Sequence, residues 1–209
     1  MSAAIRLATP ADGAALATIY APAVAHRATS FELECPSAAE MGRRVAATVR
    51  RTPWLVCQHH DDILGYAYAG SHRDRPAYQW SVEVSAYVSP AVHRHGVARA
   101  LYTSLFAVLG LQGFRNGYAG IALPNPGSVG LHTAMGFKPV GTYHAVGYKL
   151  GAWHDVAWFE LALAERVADP PPPRPLPEIL SDPMFAAALT AGLASLRLPD
   201  YPSGAARNP

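Results

Sequence analysis

The segment Tyr87-Val88-Ser89-Pro90-Ala91-Val92-His93-Arg94-His95-Gly96-Val97-Ala98 leads from a strand-like stretch into a helix-like one. Its small residues let backbone N–H groups face outward at the helix start. The first four N–H groups of a helix lack intrahelical acceptors, and the helix dipole is positive at that end. Such a place suits an anion, and a pyrophosphate would fit. His93, Arg94 and His95 add positive character. The same residues also read as an ordinary strand–helix turn with exposed basic side chains, since single glycine-containing turns are common.

Charge also gathers in Ser71-His72-Arg73-Asp74-Arg75-Pro76. Arginine suits two-pronged binding of a carboxylate or phosphinate, although charged loops are usually only solvated. His132 stands alone in a short helical run, where a histidine is often a satisfied core residue. Metal chemistry finds no support, and no metal is expected. His59 and His60 are adjacent, so a strand sends them to opposite faces, a poor chelate. There is no H-E-x-x-H run and no cysteine cluster. Neither Ser104 nor Ser128 lies in a G-x-S-x-G elbow, which speaks against a covalent serine mechanism.

Regular elements must hold these residues in place. Residues 3–8 alternate as a first strand. Thr9-Pro10-Ala11-Asp12 offers capping chemistry for an alanine-rich helix to Ala25, which Pro22 would break or bend. Residues 26–36 read as a loop, and Ser37 caps a second helix ending near Arg51. Trp54–Cys57 and Ile63–Ala69 read as strands around an Asp61-Asp62 turn, and Tyr78–Ser89 as a longer strand. From Gly96, apolar residues at Ala98, Leu101, Tyr102, Leu105 and Leu109 mark one helical face. Tyr118–Leu123 reads as a strand and Pro126–Met135 as a short helix closed by Gly136. Two final strands, Phe137–Lys149 and Trp153–Leu163, flank a Gly151 turn.

Composition shifts after Glu165. Asp169–Pro177 is proline-rich and reads as a stiff extended linker. Asp182-Pro183 can start a small helix carrying Met184, Leu189, Leu193 and Leu196 partly on one side. The chain from Pro199 onward is expected to be loose. These shifts predict two parts, residues 1–165 and an extension over residues 166–209.

Bulk properties narrow the field. The 209 residues suffice for one sizeable α/β domain. A net charge of +2 argues against nucleic acid as the main partner, because phosphate backbones call for a concentrated basic face. No apolar run approaches the roughly 20 residues that span a bilayer, so no membrane partner is expected. The two cysteines, Cys35 and Cys57, read as reduced thiols, and a cytoplasmic location is expected.

The loop His93-Arg94-His95-Gly96-Val97-Ala98 and the later Asn125…Gly136-Phe137 stretch together resemble the GCN5-related N-acetyltransferases (GNAT). That family's pyrophosphate loop reads Gln/Arg-x-x-Gly-x-Gly/Ala, and His93 departs from it at the first position. Residues 4–163 are more specifically similar to phosphinothricin and methionine sulfone/sulfoximine N-acetyltransferases. The matching pieces are Thr29-Ser30-Phe31-Glu32, Pro53-Trp54-Leu55-Val56, Gly65–Gly70, Ala77-Tyr78 with Trp80, Val82-Glu83, Leu101-Tyr102-Thr103 and Gly147-Tyr148-Lys149 with Trp153–Val156.

The resemblance implies an α/β (α+β) fold with a mixed, mostly antiparallel, splayed sheet flanked by helices. It implies direct acetyl transfer from acetyl-CoA to the amine of a small amino-acid-like substrate. An amino-acid amine is mostly protonated at neutral pH, so a base is required. The resemblance puts that role on Glu83. It puts an oxyanion donor on the Val88 N–H. His132 falls where many relatives place the group that serves the leaving thiolate, with the reverse assignment of His132 as base left open. The coenzyme set it implies is Tyr87, Val88, His93, Arg94, His95, Gly96, Val97, Ala98, Asn125 and Ser128. The substrate set is Phe31, Arg73, Arg75 and Tyr78, and a homodimer is implied. An acetyltransferase for a protein N-terminus or an antibiotic amine, and a non-catalytic acyl-CoA-binding domain, are the alternatives.

Overall fold

The computed structural model describes residues 3–198. Seven strands form one sheet in the order β1-β2-β3-β4-β5-β7-β6. They are β1 (Ala4–Leu7), β2 (Trp54–His59), β3 (Asp62–Ser71), β4 (Ser81–Val88), β5 (Asn116–Ala122), β6 (Lys138–Lys149) and β7 (Ala152–Ala162). All neighbours are antiparallel except β4 and β5. The mixed, mostly antiparallel sheet read from the sequence is therefore the sheet observed.

The β4–β5 pair makes the fold unusual. It is in register at Ser81↔Asn116, Val82↔Gly117 and Glu83↔Tyr118, and there the pairing stops. Beyond it β4 stays with β3 as far as Val88, while β5 stays with β7 as far as Ala122. Each strand keeps its outer partner and loses its inner one. A wedge opens in the middle of the sheet, starting at Glu83.

Two helical layers cover the sheet. Helices α1 (Gly13–Ala25) and α2 (Ala38–Thr48) lie on one face. There Leu16, Ile19, Tyr20, Met41 and Val45 meet Trp54, Val56, Ile63 and Tyr66. Helices α3 (Val97–Gln112) and α4 (Pro126–Ala134) lie on the other face. There Leu101, Tyr102, Leu105 and Leu109 meet Leu55, Leu64, Ala67, Val82 and Val84. Strand alternation sends successive side chains of β4 to opposite layers. Val82 and Val84 go to α3, and Glu83 and Tyr87 to the α1/α2 side.

Local chemistry explains the element ends and some departures. Ser37 accepts from the Glu40 N–H and caps α2, which ends at Thr48 rather than near Arg51. Pro22 sits inside α1 without ending it, and the helix closes with the His26 N–H on the Pro22 carbonyl. Tyr78, expected to open a strand, instead ends a 3-10 turn (Pro76–Tyr78) that Pro76 starts, and β4 begins at Ser81.

The extension is not a free linker followed by a separate piece. The Arg174 N–H bonds to the Gln112 carbonyl, and the Leu176 N–H to the Arg51 carbonyl. The Trp80 indole N–H donates to the Pro171 carbonyl at 2.9 Å. Two short helices follow, α5 (Leu176–Ile179) and α6 (Phe185–Thr190), the first within and just beyond the expected linker. Leu176 and Ile179 are buried beside Val108 of α3. Leu189, Leu193, Leu196 and Leu198 pack on the core under α3. The expectation for residues from Pro199 onward falls outside the described residues.

Candidate active site

Glu83 is fixed where the wedge begins, at the last β4–β5 pair. Its Oε1 accepts from Arg73 Nη1 at 3.0 Å and lies 3.1 Å from His72 Nδ1. Burial lowers the His72 pKa, helped by the neighbouring Arg73 charge and opposed by Glu83. A neutral ring with its proton on Nδ1 donates to the carboxylate. The His72 ring stacks on Tyr118 with centroids 4.3 Å apart and meets Tyr78 and Trp158 edge-on. The Arg73 guanidinium lies over the Trp158 ring at 5.7 Å. Arg75 precedes the 3-10 turn that carries Tyr78. Its side chain is exposed and has no polar partner among the described residues. The structure thus links Glu83 and Arg73 directly and Tyr78 through the His72 ring, while the Arg75 side chain stays on the adjoining turn without a polar contact to them among the described residues.

His72, Tyr118 and Trp158 were missed in the sequence. The strand register of the structure accounts for His72. Gly70 lies opposite Glu83 and Ser71 opposite Val82, so the residue after Ser71 lies close to Glu83. Nothing local marked Tyr118 or Trp158, because both arrive from distant strands.

Phe31 stands on the same face, in the loop between α1 and α2. A Cβ at Gly147 of β6 would run into its ring, so the close approach of that strand depends on the glycine. Lys149 Nζ donates to the Ser30 carbonyl at 2.7 Å, and Arg44 grips Glu32 with two bonds, at 2.7 and 3.0 Å. These contacts hold the loop. A cavity of about 270 Å³ opens nearby, lined by Tyr20, Arg44, Trp54, Tyr66 and Tyr68 among others. Tyr87, expected beside the coenzyme, packs edge-on against Tyr20 at 4.7 Å on this face. That places it in the aromatic cluster rather than at the loop.

On the wedge edge, the Ser89 N–H bonds to the Leu64 carbonyl of β3. Alternation then turns the N–H and C=O of Val88 away from β3, toward the wedge. His93 Nε2 reaches the Val88 carbonyl at 3.1 Å, and His95 Nδ1 reaches the His93 carbonyl at 2.9 Å. Both imidazoles are folded back on the loop's own backbone. Both contacts brace the turn.

The turn itself is strained. Arg94 and Gly96 have φ of 67° and 81°, both left-handed. The first helical bond of α3 runs from the Ala100 N–H to the Gly96 carbonyl. The N–H groups of Val97, Ala98 and Arg99 precede it and have no backbone acceptor among the described residues. Helix starts of this kind are where the sequence reading expects an anion. The N–H groups of His93 and His95 bond to Pro90 and Val92 and are not available.

Across the sheet, Asn125 caps α4 through the Ser128 N–H at 3.1 Å. His132 is buried, 4% exposed. Its Nδ1 lies 2.8 Å from the Ser128 carbonyl and its Nε2 3.2 Å from the Tyr102 hydroxyl. Carbonyls only accept, so Nδ1 carries the proton and Nε2 accepts from Tyr102. Burial lowers the His132 pKa, against the bond to Ser128. The ring packs against Phe137 and Tyr102 on the α3/α4 side. Glu83 and His132 therefore belong to opposite layers of the sheet. Among the described residues no cluster could hold a metal ion, and no helix is long and apolar enough to cross a membrane.

Comparison with known proteins agrees with this geometry. The family described as Acetyltransferase (GNAT) domain matches residues 5–158. Phosphinothricin N-acetyltransferase of Streptomyces viridochromogenes is 39% identical over 84% of this chain and 95% of its own length. The L-methionine sulfoximine/L-methionine sulfone acetyltransferase of Salmonella typhimurium is 33% identical over 78% of this chain and 96% of its own. A GNAT phosphinothricin acetyltransferase from Sinorhizobium meliloti, solved with AcCoA, superposes with a TM-score of 0.77. It is 34% identical and covers 82% of this chain and 94% of its own. With the splayed sheet and these matches together, the chain belongs to the GNAT acetyltransferases.

Proposed function

We propose that this enzyme transfers the acetyl group of acetyl-CoA to the free amine of a small amino-acid-like substrate, of the phosphinothricin or methionine sulfone/sulfoximine type. One observation carries the reading: Glu83, where the wedge begins, accepts a hydrogen bond from Arg73, on the short loop that also carries Arg75. A base held by one guanidinium, with a second arginine on the same loop, suits an acceptor that offers an ammonium and an acid group together. The substrates in the relatives' names have that chemistry.

The coenzyme's diphosphate suits the amides of Val97, Ala98 and Arg99, and its thioester reaches the amine through the wedge. Glu83 takes a proton from the ammonium, directly or through water. The freed nitrogen lone pair forms the N–C bond to the thioester carbonyl. The Val88 N–H, aimed at the wedge, suits the oxyanion. As the C–S bond breaks, the nitrogen loses its second proton and the sulfur gains one. His132 with Tyr102 stands on the α3/α4 side, where the leaving thiolate would need that proton. A ring that is neutral, buried and already bonded at both nitrogens is poorly placed to act as the base on the other face. Glu83 is the better base on geometry alone.

Two copies pair through β6. This edge strand carries exposed Val140, Tyr143, Val146 and Tyr148, and the turn and β7 add Leu150 and Trp153. An exposed apolar edge of that length invites a second strand or sheet. The free thiols Cys35 and Cys57 fit a reducing compartment, so we place the enzyme in the cytoplasm.

The test is acetyl-CoA turnover on phosphinothricin, methionine sulfone and a panel of free amino acids. The reading expects a marked preference for acceptors with a second anionic or strongly polar head. Equal background on every amine overturns it.

A further inference from the structure

We infer that residues 192–198 form a strap that sets the shape of the Gly96 turn, making coenzyme affinity depend on a segment outside the family domain. The inference rests on the coenzyme reading above. The family match ends at residue 158, so nothing in it assigns a task to this strap.

Three anchors tie the strap to the start of α3. The Gly192 N–H donates to Ser104 Oγ at 3.0 Å, and Ser104 is fully buried. A Cβ at Gly192 would collide with the Ala100 carbonyl. Next, the Ser195 carbonyl presses on Gly96, where a Cβ would collide with it. Finally, the Arg197 N–H donates to the His95 carbonyl at 3.0 Å. Leu193, Leu196 and Leu198 root the strap in the core that holds Val97, Ala100 and Leu101.

The bonds fall where the turn is strained. His95 lies between Arg94 and Gly96, the two left-handed residues. A left-handed non-glycine residue persists only where its surroundings over-determine it. Bonding the His95 carbonyl and covering Gly96 restrains the peptide groups that aim the Val97–Arg99 amides. A turn already held in shape loses less entropy when an anion binds. The strap is a positioning element and touches no reacting atom.

Arg197→Pro tests this, because it deletes the N–H that reaches His95. Leu196 is extended (φ −71°, ψ 136°), the region the residue before a proline adopts. Arg197→Ala keeps the N–H and removes only the side chain. The readouts are hydrogen exchange over residues 93–100 and calorimetry with coenzyme A, beside KM for acetyl-CoA, KM for the acceptor and kcat. Arg197→Pro should exchange faster and bind coenzyme A about 3- to 10-fold more weakly, the size of one lost hydrogen bond. Its acceptor KM should hold, and Arg197→Ala should match the parent within about twofold. Should the proline variant fail to fold, Ser104→Ala cuts the Gly192 anchor and is read the same way. Unchanged exchange overturns the inference. So does faster exchange with unchanged affinity, or an equal loss in Arg197→Ala. A parent chain that binds no coenzyme A ends the acetyltransfer reading instead, and the exchange contrast still decides whether the strap holds the turn.

Discussion

Arg73 donates to Glu83 across 3.0 Å, so the guanidinium expected to meet the acceptor's acid group also holds the carboxylate expected to take its proton. Arg75 is on the same short loop and makes no such bond. An acidic acceptor drawn to Arg73 therefore competes with Glu83 for it. Under the proposed function, binding the acceptor and freeing the base would be one event.

That coupling separates the two arginines. Arg73→Ala should raise the acceptor KM about tenfold and lower kcat as well, because both the ligand and the Glu83 contact are lost. Arg75→Ala should raise the acceptor KM and leave kcat within about twofold. Steady-state kinetics at saturating acetyl-CoA read the difference. Identical effects in the two variants would contradict the coupling.

His132 gives a stability signature. Burial holds its pKa below the ordinary 6.5. Below that pH the unfolded chain takes a proton that the folded ring refuses, so stability falls as pH drops from about 6.5 toward the folded value. One such group contributes a slope of up to about 1.4 kcal/mol per pH unit. His72 is shifted in the same direction, so the parent carries more than one contribution. Denaturant melts of His132→Gln between pH 7 and pH 5 should show a shallower fall than the parent. An equal fall in both would remove His132 from the account.

Gly96 is constrained twice. Its φ of 81° belongs to glycine, and the Ser195 carbonyl occupies the space of any Cβ. Gly96→Ala should lower stability by about 2–3 kcal/mol, or roughly 4–12 °C in Tm. Differential scanning calorimetry measures it. A neutral substitution would mean that the turn and the strap can yield freely.

The β6 edge predicts its own variant. Tyr148 and Trp153 are 59% and 65% exposed, with rings 5.4 Å apart. Trp153→Glu should convert a dimer to a monomer in light scattering. A parent chain that is already monomeric would contradict pairing through this edge.

The regular elements were legible in the sequence because their signals are local. The Gly96–Leu109 stripe marked α3, Ser37 capped α2, and Pro126 with Gly136 framed α4. The wedge was expected from family resemblance alone. No periodicity says that β4 and β5 part after Glu83 and Tyr118, because that depends on which outer partner each strand keeps. The ring around Glu83 was illegible for the same reason: His72, Tyr118 and Trp158 meet only once β3, β5 and β7 are placed. Pro76 did announce a break, yet the alternation around Tyr78 read as strand and concealed the 3-10 turn. The extension misled most. Its proline run reads as a spacer, whereas Leu176 and Ile179 are core residues. A few apolar residues between prolines carry no period by which to recognise them.

The most direct test compares the parent and Glu83→Gln in steady-state acetyl transfer to phosphinothricin, with coenzyme A affinity measured in parallel. Loss of the base predicts a fall in kcat of about 10²- to 10⁴-fold with coenzyme affinity unchanged. A variant that turns over at the parent's rate would show that the amine loses its proton to some other group, and the assignment of the site would not stand.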